Sequence, residues 1–440
     1  MCHNAFIEMR FFGILLTLGL VLGTGFFLLS REKVAEIVPV LSKAEPALRQ
    51  SSGQANAGSV IPEVPEAESL KEALPEATST PKSNGDIESQ SQLTNPPEMA
   101  KAIYATGWSA GSAKKIDSLI KMIDETELNA IVIDIKDYSG FISYSIDNPL
   151  IKSSGALNEL RIVKPNSLIK KLHDKNIYVI GRISVFQDPI LAKAHPEWAI
   201  KSGVGGEVWR DRKGLAWMDP ASREVWDYNI SIAKDALARG FDEINFDYIR
   251  FPSDGDLGAM TYPFWNKDVL MADVIGDFFK YIRSSLPQAK ISADLFGLVT
   301  TARDDMGIGQ MLEKALPYFD YIMPMVYPSH YAVGAMGFKN PADHPYEIVN
   351  NAVAEATKRL VEYNTSQLGD LSSSTVTIHP RSTAKIRPWL QDFDLGAVYT
   401  SEMIRSQIKA SDEAGGTGWA LWDPKNIYTK KALLDEPASQ

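Results

Sequence analysis

Only one cysteine, Cys2, occurs in 440 residues. With a single thiol, neither an intramolecular disulfide nor a thiolate metal cluster can form. Histidine is scarce as well. His173, His195, His330, His344 and His379 are scattered with no H-x-H or H-E-x-x-H spacing, so no metal and no other cofactor is expected. Basic charge is outweighed: 45 Lys and Arg face 55 Asp and Glu, a formal net charge of -10. A phosphate-binding face needs clustered cations, so nucleic acid is not an expected partner, and no protein partner can be inferred. Serine-nucleophile chemistry is not expected either. Aromatic residues are missing altogether between Phe27 and Tyr104, and all nine tryptophans fall after position 100.

That last gap divides the chain. Phe11 to Leu29 is 19 residues without a charge. As a helix it would cross a hydrocarbon core of roughly 30 Å at about 1.5 Å per residue. The following Ser30-Arg31-Glu32-Lys33 lacks a small-x-small cleavage pattern. Residues 1–33 are therefore read as a signal anchor, giving a single-pass protein of a bacterial membrane with its folded part outside the cytoplasm. The alternative is secretion after signal cleavage. Arg10 precedes the span while Arg31 and Lys33 follow it, so basic charge sets orientation poorly. Residues 34–98, dominated by Pro, Glu, Ser and Ala, cannot bury enough apolar surface to offset ordering entropy and are read as a disordered linker. The folded domain is expected over 100–430, with 431–440 as a tail.

Within it, short apolar runs alternate with helical spacing. Strand candidates are residues 102–107, 130–137, 178–184, 240–252, 291–297, 321–328, 386–393 and 418–424. Helical patterns cover 114–128, 167–175, 219–239, 268–286, 309–318, 346–362 and 401–414. Asp219-Pro220 reads as N-cap and first helical residue, and a polar insertion follows around 368–374. Eight strands alternating with helices point to an α/β fold, a (β/α)8 TIM barrel, preceded here by a transmembrane helix and the linker. An open doubly wound sheet is the alternative, but no Gly-rich phosphate turn follows the first strand.

A barrel presents the carboxyl ends of its strands at one face, where ligands bind. Those ends are rich in chemistry. The stretch Gly240-Phe241-Asp242-Glu243-Ile244-Asn245-Phe246-Asp247-Tyr248-Ile249-Arg250-Phe251-Pro252 places Asn245 and Asp247 on one strand face. Other ends offer Asp134, Lys136 and Asp137; Arg182 with Asp188 beyond; Asp294; Tyr327; Trp389, Gln391 and Asp392; Trp422 and Asp423. Tryptophans, a tyrosine, an arginine and carboxylates around one cup suit sugars, whose apolar faces stack on rings and whose hydroxyls need donors and acceptors. The long aromatic segment 186–218, carrying Trp198, Trp209 and Trp217, reads as a loop walling that cup.

The 240–252 stretch resembles the signature of a bacterial glycoside hydrolase-like family long catalogued as a domain of unknown function, of the TIM-barrel glycosidase superfamily. The likeness extends to residues 130–137, to Met323-Pro324-Met325-Val326-Tyr327-Pro328-Ser329-His330-Tyr331, to Arg387-Pro388-Trp389-Leu390-Gln391-Asp392-Phe393 and to Gly418-Trp419-Ala420-Leu421-Trp422. It covers essentially 100–425 and implies a barrel and glycosidase activity, with no substrate specified. The chitinase strand-four motif is a poorer match, since Ile249 stands where its catalytic glutamate would be. A better likeness is to α-amylase-like and α-galactosidase-like barrels, whose nucleophile is an aspartate at the end of strand four. Asp247 is accordingly the expected nucleophile and Asp294 the general acid, with Asp137 and Asp423 in reserve. Asn245, Arg250, Arg182, Tyr327, Trp389, Gln391, Trp422 and Trp209 are expected to bind substrate. The expected activity is hydrolysis of an envelope or extracellular polysaccharide. The alternatives are a glycan-binding barrel without catalysis, or another barrel enzyme such as a deacetylase or lyase.

Overall fold

A computed structural model describes residues 85–203, 206–369 and 381–435. The expected membrane span, the linker before Gly85, the insertion beyond Gly369 and the end of the tail lie outside them. Among the described residues no helix is long and apolar enough to cross a membrane.

Eight parallel strands close on themselves in chain order: β1 (Lys101–Ala105), β2 (Ala130–Lys136), β3 (Tyr178–Ser184), β4 (Glu243–Asp247), β5 (Lys290–Phe296), β6 (Tyr321–Val326), β7 in two pieces (Lys385–Ile386 and Trp389–Gln391), and β8 (Trp419–Trp422), which pairs back on β1. Seven helices run along the outside: α1 (Ala113–Asp124), α2 (Pro165–His173), α3 (Arg223–Arg239), α4 (Met271–Ser285), α5 (Leu312–Ala315), α6 (Pro345–Gly369) and α7 (Ser401–Glu413). This is the expected barrel. β7 is interrupted at Arg387-Pro388 because proline has no N–H for the ladder.

Each strand is covered on both faces, and its side chains alternate between an apolar outer layer and a mixed axial one. In β4, Ile244 and Phe246 face the shell under the helices, while Glu243, Asn245 and Asp247 face the axis; all five are buried. The axial filling is smaller and more polar than the shell. Ala102, Val132, Ile180, Met323 and Trp389 pack there. At its amino-terminal end a fully buried Glu243–Arg387 ion pair lies under Tyr178 and Tyr321.

Local signals set the lead-in to β4. α3 ends on Gly240 at φ +106°, a left-handed residue that caps it through Ala236 and Leu237 carbonyls. The start of α3 differs from expectation. Ser222 is the N-cap, accepting from the Val225 N–H, whereas Asp219 accepts from the Ala221, Phe264 and Trp265 amides and ties two loops together.

The linker boundary also moves. Asp86 accepts from the Asn166 N–H at 2.7 Å and the Ser167 N–H at 3.0 Å, capping α2, whose own Lys164 supplies no cap. The Gln90 N–H donates to the Arg239 carbonyl, and the Leu93 N–H donates to Asp242 at 2.7 Å. Contacts with the barrel therefore reach back at least to Asp86, ahead of the expected start at Ala100. The folded domain extends past residue 430 as well, since Leu433 is buried and Leu434 pairs with Glu127.

Candidate active site

The carboxyl end of the barrel converges on Arg182, from β3. Its Nη1 donates to Asp134 at 2.6 Å, its Nε donates to Asp247 Oδ2 at 3.2 Å, and its Nη2 makes a further short hydrogen bond to that same oxygen. Nε also stands 3.6 Å from Asp294 Oδ2. Because Asp247 and Asp294 flank one nitrogen, their Oδ2 atoms lie at most about 7 Å apart. These four side chains are at most 7% exposed. An unpaired charge at such depth would cost several kcal/mol, so the guanidinium is what permits ionised carboxylates here.

The two aspartates differ in setting. Asp247 receives the Arg182 fork on Oδ2 and the Tyr248 N–H on Oδ1 at 2.5 Å. Tyr248 itself adopts φ +52°, a left-handed conformation uncommon outside glycine. Asp294 accepts from the Asn245 amide at 2.8 Å and the Trp389 indole at 2.7 Å, both on Oδ1. Burial, and next the negative charge of Asp247, push its pKa up to about 8. With two N–H groups on Oδ1, its proton belongs on Oδ2, the oxygen beside Arg182 and Asp247. Asp294 is thus protonated at neutral pH.

Aromatic rings wall the cup. Tyr104 donates to Asp134 at 2.5 Å and stacks on Trp422 with centroids 3.9 Å apart; Trp389 stands edge-on to Trp422 at 5.5 Å. Arg182 lies 5.1 Å from the Trp422 ring. Tyr327 is buried on the β6 side, its pKa raised by burial and by the charges of Asp294 and Asp247. Among the described residues, Asn245 Oδ1 and Trp422 Nε1 are buried here without a hydrogen-bond partner. Buried polar groups are normally satisfied, so these mark places where a ligand or water completes the site.

The structure thus brings together Asp247, Asp294, Asn245, Arg182, Tyr327, Trp389 and Trp422. Other candidates sit elsewhere. Asp137 is held by Arg161 and by Ser139 at the rim. Asp423 accepts from the Lys425 and Ile427 amides and shapes a turn. Gln391 spends its amide on Ser329 and on the Phe393 carbonyl. Arg250 is caged by Trp217, Phe296 and Tyr248 and donates to the Phe251 carbonyl. Trp209 donates to the Asp256 carbonyl and ties the 186–218 loop to its neighbour, while Trp217 donates to Asp211 within that loop; each is 2% exposed and offers no free face. Lys136 and Asp188 form a fully buried pair below that loop.

Sequence reasoning overlooked Tyr104 as a site residue, although a tyrosine near the carboxyl end of an otherwise apolar strand was a signal. It also overlooked that Gly107-Trp108-Ser109-Ala110-Gly111 fits the serine-nucleophile pattern G-x-S-x-G. Here that stretch is a short helix capped by Thr106. Ser109 is not in the left-handed conformation of a strained elbow, and among the described residues no histidine hydrogen-bonds its hydroxyl. Among the described residues no three His, Cys, Asp or Glu side chains cluster so as to hold a metal ion.

A closed parallel barrel with two buried aspartates at adjoining carboxyl strand ends defines the class, a glycoside hydrolase barrel. Residues 102–428 match the family described as "Putative glycosyl hydrolase domain", and the chain belongs to that family. Among solved structures it is similar to the glycoside hydrolase domain of PgaB (BpsB) from Bordetella bronchiseptica, at 13% identity over 74% of this chain and 94% of that one, with a TM-score of 0.52. That likeness is one of fold. A hypothetical protein from Ruminiclostridium thermocellum is 39% identical over 44% of this chain and 96% of its own, with a TM-score of 0.40. No curated protein sequence matches the chain.

Proposed function

We propose that the domain cleaves glycosidic bonds with retention of configuration, using Asp247 as nucleophile and Asp294 as acid and base. Asp294 Oδ2 donates its proton to the leaving oxygen as Asp247 attacks the anomeric carbon, giving a glycosyl-enzyme and a free alcohol. Water then attacks the same carbon, losing its proton to Asp294, and Asp247 departs as a carboxylate. Arg182 balances the charge that moves between the pair.

The observation that carries this reading is that Asp247 and Asp294 share one guanidinium nitrogen, at 3.2 and 3.6 Å. Retaining enzymes hold their carboxyls about 5–5.5 Å apart, and inverting ones about 6.5–9.5 Å, to admit a water between. The upper bound of about 7 Å set by that nitrogen leaves little of the inverting range.

The substrate in this proposal is an envelope or extracellular polysaccharide. Trp108, 57% exposed beyond the end of β1 and backed by the Arg161 guanidinium at 5.4 Å, supports a chain-like ligand by offering a free ring outside the catalytic cup. The uncharged run 11–29 supports tethering to a bacterial membrane with the barrel outside the cytoplasm.

Incubating the full-length protein with envelope glycans and a panel of aryl glycosides, and reading product stereochemistry by NMR, tests the reaction. For a cleaved glycoside, Asp247→Asn is expected to lower kcat by three to five orders of magnitude, about 4–7 kcal/mol of barrier. Near-parental turnover in that variant, or an inverted product, would overturn the mechanism.

A further inference from the structure

His330 lies just beyond the end of β6, in a motif that the catalytic pair leaves unused. Its ring forms a corner with Tyr327, at 5.3 Å between centroids, and Phe393, at 6.2 Å. Tyr327 and Phe393 also pack on the barrel's axial filling, so this corner adjoins the catalytic cup. The hydrogen bonds around it determine which ring nitrogen holds the proton.

The chain of donors starts at Gln391. Its Nε2 donates to the Phe393 carbonyl at 2.9 Å, which orients the amide and leaves Oε1 as an acceptor. Oε1 accepts from the Ser329 N–H at 3.2 Å and the Ser329 hydroxyl at 2.9 Å. A hydroxyl has one proton, so Ser329 Oγ can only accept from His330 Nδ1, 3.0 Å away. Burial lowers the His330 pKa to about 4, so the ring is neutral and carries that one proton on Nδ1. Nε2 is then a bare lone pair, and no hydrogen bond to it occurs among the described residues.

We propose that His330 Nε2 accepts a hydrogen bond from the glycosyl ring bound at Asp247, and so determines which sugars the site takes. The ring would rest its apolar face on Phe393 and Tyr327 and present a donor, a hydroxyl or an acetamido N–H, to Nε2. Gln391 and Ser329 are positioning residues that hold the tautomer and do not touch the sugar. This assignment rests on the glycosidase reading above.

Two measurements test it. In protein labelled with 15N-histidine, His330 is expected to show protonated Nδ1 and bare Nε2 at pH 7, with Ser329→Ala shifting the proton toward Nε2. A parental ring protonated on Nε2 overturns the proposal without reference to any substrate. The second measurement uses 4-nitrophenyl glycosides and their singly deoxygenated or deacetamidated analogues. His330→Asn keeps a donor toward Ser329 but loses the Nε2 position. It is expected to raise KM about 10–100-fold on the preferred glycoside, with little change in kcat or Tm, and to lose nothing further on the one analogue lacking the bonded group. The identity of that analogue separates hydroxyl from acetamide. Equal losses on every analogue, or unchanged KM, sink the assignment while the hydrolase reading stands. A parent protein inert toward every glycoside removes both.

Discussion

At the scale of single residues, Asp294 contributes to the response to pH. Its carboxyl is raised from an ordinary 3.8 to about 8, so the folded state keeps a proton that the unfolded chain releases. Folding then binds protons between about pH 4 and 8. This group's contribution is most favourable below its unfolded pKa and is lost as pH rises through the folded one. Asp294→Asn removes the titration while keeping acceptors for Asn245 and Trp389, so its Tm should match or exceed the parent's at pH 8 and lose that advantage near pH 4. In the proposed mechanism Asp294 must be protonated, and kcat/KM for alkyl glycosides should then fall above about pH 8. With 2,4-dinitrophenyl glycosides, whose leaving group needs no proton, the variant should still form the glycosyl-enzyme and show no alkaline limb. Parental pH profiles in both variant assays would dismiss Asp294 as the acid. Period-two alternation made Asn245 and Asp247 legible as neighbours on one face. It could not tell Asp423, a turn former, from Asp294, because both are aspartates at strand ends and only their partners differ.

At the scale of elements, the segment before β1 shows how composition misleads near a boundary. Residues 86–93 are as poor in large apolar groups as the linker before them, yet they are ordered by polar contacts with backbone groups that the barrel leaves open. The first amides of α2 need an acceptor, and Lys164 at its N-cap cannot supply one. Asp86→Ala should therefore cost about 1 kcal/mol, seen as a lower urea midpoint with an unchanged m-value. An unchanged midpoint would mean that the contact contributes nothing. The same kind of ambiguity misplaced the start of α3. Asp219-Pro220 and Ser222 both carry capping chemistry, and the choice fell to Ser222 because Asp219 is engaged by the 264–265 amides from another loop.

For the whole molecule, the folded unit is larger than its aromatic content suggests. Limited proteolysis should leave a resistant fragment beginning at or shortly before Asp86 and reaching at least to Leu434, identified by mass and amino-terminal sequencing. A fragment that starts near Ala100 would show that the 86–93 contacts do not protect the chain. The barrel places β3, β4 and β5 side by side, and this adjacency puts Arg182, Asp247 and Asp294 within reach of one another across more than a hundred residues of sequence.

The alternation of short apolar runs with helical spacing was enough to determine a barrel of eight strands, the glycine that ends α3, and the shared face of Asn245 and Asp247 at the end of β4. Those features follow from covalent periodicity: a strand repeats every two residues and a helix every 3.6, so the chain itself says which face and which end a side chain occupies. Tertiary structure alone decided which side chains meet. That Arg182 joins three aspartates, that burial beside Asp247 keeps Asp294 protonated while Trp389 and Asn245 bind its Oδ1, that Trp209 and Arg250 are enclosed, and that Ser329 directs the lone pair of His330 all depend on inter-strand register and loop packing. Those contacts join residues far apart in the chain, and no local repeat encodes them.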